Sequence, residues 1–180
     1  MDMIARLCLG LASRGRALFY RMRGVQIRGH VSLRSIEIPR YHAGVTLEAE
    51  VALDRGVVLL LTGEGARISI GPRCYINRQT MFDASGEITV GAETMIGPFC
   101  YITDHDHGAR SGQRPSEGEL ITAPTRLGAR CWIGAHVTVL KGVSIGDGSV
   151  VGAGSVVTKS IPAGVIAVGN PARVLKQVPA

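Results

Sequence analysis

Aromatic side chains are scarce, 4% of 180 residues, and no two cysteines stand close enough to form a C-x-x-C pair. The first shortage excludes an ordinary globular core, which packs around Phe and Tyr. The second excludes a zinc cluster or a disulfide framework, because Cys8, Cys74, Cys100 and Cys131 are far apart. No apolar run reaches the length of a membrane span. Residues 1–23 are broken by Arg6, Arg14, Arg16, Arg21 and Arg23 and lack a small-residue cleavage site, so a secretory signal is not expected. The expectation is a cytoplasmic protein, with membrane association of residues 3–23 as an addition. Acidic residues are fewer than basic ones, leaving a net charge of +6. That charge suits nucleic acid, an anionic membrane or a phosphorylated ligand equally. Nucleic acid has nothing else in its favour, since neither an aromatic-interleaved basic strand nor a recognition helix is evident.

What is abundant is Gly, Val, Ile and Ala, the composition of many short strands joined by tight turns. Read in sixes from residue 121, the chain runs ITAPTR, LGARCW, IGAHVT, VLKGVS, IGDGSV, VGAGSV, VTKSIP. The first positions are Ile121, Leu127, Ile133, Val139, Ile145, Val151 and Val157. A period of six fits neither a helix nor simple alternation. It fits a coil of short strands and bends, in which every sixth side chain points inward and stacks on its counterpart about 4.8 Å away. Gly128, Gly134, Gly146 and Gly152 follow the inward aliphatic, where neighbouring coils pass closely. The fifth positions, Thr125, Cys131, Val137, Val143, Ser149 and Ser155, are small enough for a narrow interior. Upstream, Ile70, Ile76 and Phe82 keep the step, as do Val90, Ile96 and Ile102, and more loosely Val45, Val51 and Val57. In GPRCYI, GPFCYI and GARCWI the cysteine takes the fifth position, which makes Cys74, Cys100 and Cys131 small core residues.

This grammar resembles the hexapeptide-repeat acyltransferases, in particular the sugar O-acetyltransferases of the galactoside, maltose, nodulation and surface-polysaccharide type. The match covers residues 65–175. The resemblance implies an all-β solenoid, a left-handed parallel β-helix. Its hand comes from the family alone, because the general crossover rule favours the opposite one. The expected organisation is a basic amphipathic helix and lead-in over 1–30, a β-helix over 31–173 with an extruded loop at 104–120, and a tail over 174–180. In the helix, Ile4, Leu7, Cys8, Leu11, Leu18 and Met22 follow helical spacing, Leu9 and Tyr20 interrupt it, and Gly24 is the stop. The helix is expected to cap the open end of the coil or to pack on a neighbour. The closing segment IPAGVIAVGNPARVLKQ resembles the turn that follows the last coil in this family.

The repeat breaks after Ile102. The stretch DHDHGARSGQRPSEGE offers no inward aliphatic and must project as a loop. His105 stands at its base, on a rigid support, with a side chain whose proton affinity suits a general base. His107 lies further out. The resemblance makes His105, in Thr103-Asp104-His105, the catalytic base. Asp104, Asp106 or a backbone carbonyl could orient it. The resemblance further implies Asn77 and Asp83 as acceptor ligands, with His107 nearby. Ala135, Ala153, Thr158 and Lys159 are implied as the coenzyme A side, with Ala135 supplying the oxyanion donor, and the cations Lys159, Arg173 and Lys176 near the closing segment suit its phosphates. The implied function is an acetyl-CoA-dependent O-acetyltransferase without a metal, acting as a homotrimer on a carbohydrate hydroxyl, including a surface-polysaccharide or lipid-linked sugar. N-acetylation of an amino sugar and serine O-acetylation are the alternatives within transferases. A non-catalytic scaffold and a metal-dependent carbonic anhydrase are the alternatives outside them. The carbonic anhydrase requires an H-x4-H pair that His105, His107 and His136 do not form.

Overall fold

The structure, a computed structural model, describes residues 3–108, 111–112 and 114–179, with helix side chains from residue 9 onward. Three parallel sheets form the faces of one coil. The first face includes Gln26–Ile27, Val45–Leu47, Arg67–Ile70, Glu87–Val90, Thr125–Leu127 and Ser144–Ile145. The second runs from Ser32–Leu33 through Tyr75–Ile76, Met95–Ile96, Trp132–Ile133 and Val150–Val151 to Val165–Val168. The third holds Val58–Leu61, Met81–Ala84, Tyr101–Thr103, Thr138–Val139 and Val156–Val157. The six-step aliphatics are the core. Ile76 registers with Ile96, Ile96 with Ile133 and Ile133 with Val151. Phe82, Ile102, Val139 and Val157 form the matching column on the third face. All of these are buried, and each contributes about 1.5–3 kcal/mol of transfer free energy. The fifth positions are buried as well, including Cys131, and burial raises the thiol pKa of Cys74, Cys100 and Cys131 above its ordinary value. This is the left-handed β-helix of the hexapeptide pattern.

Ile121 departs from its expected place. It is exposed, and it belongs to Leu120–Thr122, which pairs antiparallel with His105–His107. The projecting hairpin therefore takes in residues 121 and 122, and the inward ladder resumes at Leu127, which registers with Val90. A six-residue step cannot distinguish an aliphatic on register by coincidence from one that stacks.

The helix Met3–Met22 closes the N-terminal end, by a face the periodicity did not indicate. The first coil presents backbone groups with no preceding coil to bond. Ser13 accepts the Leu33 N–H at 2.8 Å and donates to Val31 O at 3.5 Å. Arg16 donates to Leu33 O at 2.9 Å, and Tyr20 to Ile36 O at 3.0 Å. Arg21 bonds the carbonyls of Ile27 and Gly29. The helix thus takes the place of a missing strand layer, and the sheet edge is not left open. Ser13, Ala17 and Tyr20 are buried, whereas Leu11, Leu18 and Met22 are exposed. The expected positions Ile4, Leu7 and Cys8 lie outside the described side chains. At the other end Arg173–Gln177 pairs antiparallel with Val165–Val168.

Candidate active site

The third face has two edges, and the expected site residues divide between them. At its far edge, Tyr101–Thr103 leads into the hairpin through Asp104. Asp104 is fully buried. Its Oδ1 accepts the Ser85 N–H and its Oδ2 the Gly86 N–H, each at 2.8 Å. His105 Nδ1 lies 3.1 Å from Asp104 Oδ1. Both carboxylate oxygens already act as acceptors, so the ring is the donor here, and Nδ1 carries the proton. Nε2 then keeps its lone pair. Thr103 Oγ1 also lies 3.3 Å from Nδ1 and accepts the His105 N–H. The side chain of His105 is only 8% exposed. Of the three groups that could orient the ring, Asp104 is the one in place, because Asp106 faces Lys141 at 3.1 Å.

Asp83 completes this edge. Its strand registers with Tyr101–Thr103, Asp83 opposite Thr103. The Tyr101 hydroxyl donates to Asp83 Oδ2 at 2.9 Å. Burial, then this bond, raises the Tyr101 pKa, so the phenol remains a donor. Asp83 Oδ1 is buried with no hydrogen-bond partner among the described residues, and His105 Nε2 is 3.9 Å away. A buried acceptor without a donor costs free energy. His107 is exposed and registers with Leu120 in the hairpin. Thr158 and Lys159 follow Val156–Val157 and so share the His105 edge. Lys141 stands one coil before Lys159 and was not anticipated, since a lone Lys in a repeat carries no signal of its partner.

The near edge carries a groove of about 430 Å³, whose walls include Asn77, Trp132, Met95, Ala135 and Ala153. Glycines make its floor. A Cβ on Gly97 would stand 2.6 Å from Ala135 N, and one on Gly134 2.5 Å from Ala153 N, too close for any side chain. Trp132 and Met95, outward neighbours in the second sheet, are exposed. Sequence reasoning missed both. The signal was available: Trp132 takes an outward strand position, and it is the only Trp in the chain. Asn77 Oδ1 accepts the Arg78 N–H at 2.8 Å. Lys176 registers with Ile166 further along the same sheet, and Arg173 with Val168.

The chain path from Pro98 at the groove to His105 crosses the whole third face, on the order of 20 Å of extended chain. One chain therefore does not bring His105, Asp83 and Lys159 together with Ala135, Ala153 and Asn77. Among the described residues, no three His, Cys, Asp or Glu side chains converge to hold a metal ion.

Comparisons with known proteins agree with this architecture. Residues 124–159 match the family model described as hexapeptide repeat of succinyl-transferase. A putative acetyltransferase of Staphylococcus aureus (strain COL), SACOL2570, is 42% identical over 117 residues, 65% of this chain and 58% of that protein. The galactoside O-acetyltransferase of Escherichia coli (strain K12) is 38% identical over 63% of this chain and 56% of its own length. A structure of galactoside acetyltransferase in complex with coenzyme A superposes at a TM-score of 0.59, with 38% identity over 62% of this chain and 56% of that one. A maltose O-acetyltransferase from Clostridium difficile 630 gives 0.64, with 29% identity over 92% of this chain and 75% of that one. The chain spans somewhat over half the length of the curated relatives it matches. Its stacked six-residue ladder and matched repeat give the chain the left-handed β-helix fold of the hexapeptide pattern, and in sequence and structure it is similar to the sugar O-acetyltransferases.

Proposed function

We propose that this protein is an acetyl-CoA-dependent O-acetyltransferase acting on a carbohydrate hydroxyl, with His105 as general base. The observation that carries the reading is the pair formed by His105 Nε2, free to accept a proton, and the unpartnered Asp83 Oδ1 at 3.9 Å. An acceptor hydroxyl between them donates its proton to Nε2 while a second hydroxyl of the same sugar bonds Asp83. Asn77 is a further acceptor ligand, and His107 contributes less because it is exposed. The deprotonating oxygen attacks the thioester carbonyl. The tetrahedral oxyanion takes a hydrogen bond from the Ala135 N–H. As the intermediate collapses the C–S bond breaks, His105 returns its proton to the leaving thiolate, and no covalent enzyme intermediate forms. The groove, floored by glycine and walled by Trp132 and Met95, suits an extended pantetheine arm. The cations Lys159, Arg173 and Lys176 suit its phosphates, with Ala153 and Thr158 as neutral contacts.

The separation of the two edges requires a second chain. In a closed ring of three, the His105 edge of one subunit meets the groove of the next, a heterologous contact that closes by rotation. The homotrimer is thus part of the same proposal, as is a cytoplasmic acyl donor. The acceptor class extends to surface-polysaccharide units and lipid-linked sugars.

A thiol-release assay with acetyl-CoA across hydroxyl and amino sugars tests this. His105→Ala is expected to lower kcat by about 10²- to 10⁴-fold, and His107→Ala by less than about threefold. Coexpressing His105→Ala with Ala135→Trp, each inactive alone, restores turnover if the sites are shared. Equal turnover by wild type and His105→Ala on the best acceptor removes the base assignment. Preference for amino sugars moves the reading to N-acetylation.

A further inference from the structure

The N-terminal helix has two unlike faces. The inner one is largely polar: Ser13, Arg16 and Tyr20 hydrogen-bond the open backbone edge of the first coil, and Ala17 is buried among them. The opposite one is a stripe of large apolar side chains. Leu11, Leu18 and Met22, at i, i+7 and i+11, share one line down the helix. They are 58%, 57% and 73% exposed, with Phe19 alongside at 47%. Among the described residues nothing covers them. Because the helix lies on the backbone edge that faces along the coil axis, the stripe points away from the coil at its end. It does not point sideways toward the third face, where a subunit contact is needed.

The charges beside the stripe identify its occupant. Residues 3–22 contain no acid. Arg14 is exposed on one flank, Arg21 is held there by the carbonyls of Ile27 and Gly29, and Arg23 stands over the Phe19 ring at 5.7 Å. An apolar line with cations on its flanks and no anion matches an anionic lipid surface, where acyl chains take the leucines and headgroups take the guanidinium groups. A second copy of the same stripe would instead set arginines against arginines. No helix among the described residues is long and apolar enough to cross a membrane, so the mode is surface binding. We infer that the outward face of Met3–Met22 docks this protein on anionic lipid.

The test is sedimentation of the full chain, without acetyl-CoA or acceptor, on vesicles of equal parts phosphatidylglycerol and phosphatidylcholine, against phosphatidylcholine alone. Binding read this way is independent of the catalytic proposal. Wild type is expected to pellet with the anionic vesicles and to be released by salt. The Leu11→Glu/Leu18→Glu variant alters only exposed positions and should stay folded. It is expected to lose at least about tenfold in vesicle affinity while keeping its solution mass and its turnover of a soluble acceptor. Absence of pelleting by wild type, or equal pelleting by the variant, overturns the inference. So does a change of solution mass in the variant, which would make the stripe a contact between copies. A parallel Arg14→Glu variant should weaken binding to the anionic vesicles alone. If it weakens binding to both kinds equally, the electrostatic part of the inference is wrong.

Discussion

Inside the coil, Thr80, Thr94, Thr125, Ser149 and Ser155 are as buried as the aliphatics around them, and every hydroxyl is engaged with backbone. Thr80 bonds Gly97 O at 2.9 Å, Thr94 bonds Gly128 O at 2.7 Å, and Ser149 bonds Pro162 O at 2.7 Å. Beside His105 the pattern differs. Asp104 is satisfied on both oxygens, but its neighbour across the edge, Asp83, keeps one buried oxygen unpartnered. The interior polar groups serve the fold, which tolerates no loose ends. The exception falls beside His105, and under the proposed function it is the oxygen that a substrate hydroxyl would satisfy.

The two aspartates allow that contrast to be broken deliberately. Asp104→Asn puts an amide N–H₂ against a backbone N–H in either orientation and removes the negative charge beside His105 Nδ1. We expect kcat to fall by about 10²-fold or more and urea-denaturation stability to fall by about 1–3 kcal/mol. Asp83→Asn is expected to cost about 10- to 100-fold in kcat/KM for the acceptor, yet to change stability by less than about 0.5 kcal/mol, since Oδ1 has no partner to lose. If Asp83→Asn destabilises as much as Asp104→Asn, the distinction between a structural and a substrate-facing carboxylate fails. Thr94→Val sharpens the other side. It removes bonds to Gly128 O and the Cys131 N–H, which should cost about 1–2 kcal/mol of stability and leave kcat unchanged. A thermal or urea melt beside the thiol-release assay checks all three variants.

Much of this was legible before any coordinates. Ile76, Ile96, Ile133 and Val151 announce a stack because an interior one side chain wide admits only a fixed step. The break after Ile102 points to His105 because polar residues cannot occupy that interior. Ile121 was misread, since a step of six recurs by accident where an aliphatic strand happens to follow a loop. The helix and its capping place were legible, but the face by which it packs was not. Hydrophobic periodicity assumes that a helix packs by its apolar side, but the surface waiting for this one is a row of unpaired N–H and C=O groups. Ser13, Arg16 and Tyr20 meet that surface, and Leu11 and Leu18 are left outside.

The sequence by itself determined the repeat, the buried columns, Cys74, Cys100 and Cys131 as core, and the histidine at the base of the projecting loop. These follow from which side chains a narrow coil can enclose, a question of size and polarity at each step. Tertiary structure alone decided that Asp104 holds the His105 ring, that Asp83 keeps an unpartnered oxygen, that the groove lies a full face away from His105, and which side of the helix turns outward. Those depend on how residues distant in sequence meet across coils, where hydrogen-bond geometry, not periodicity, sets the outcome.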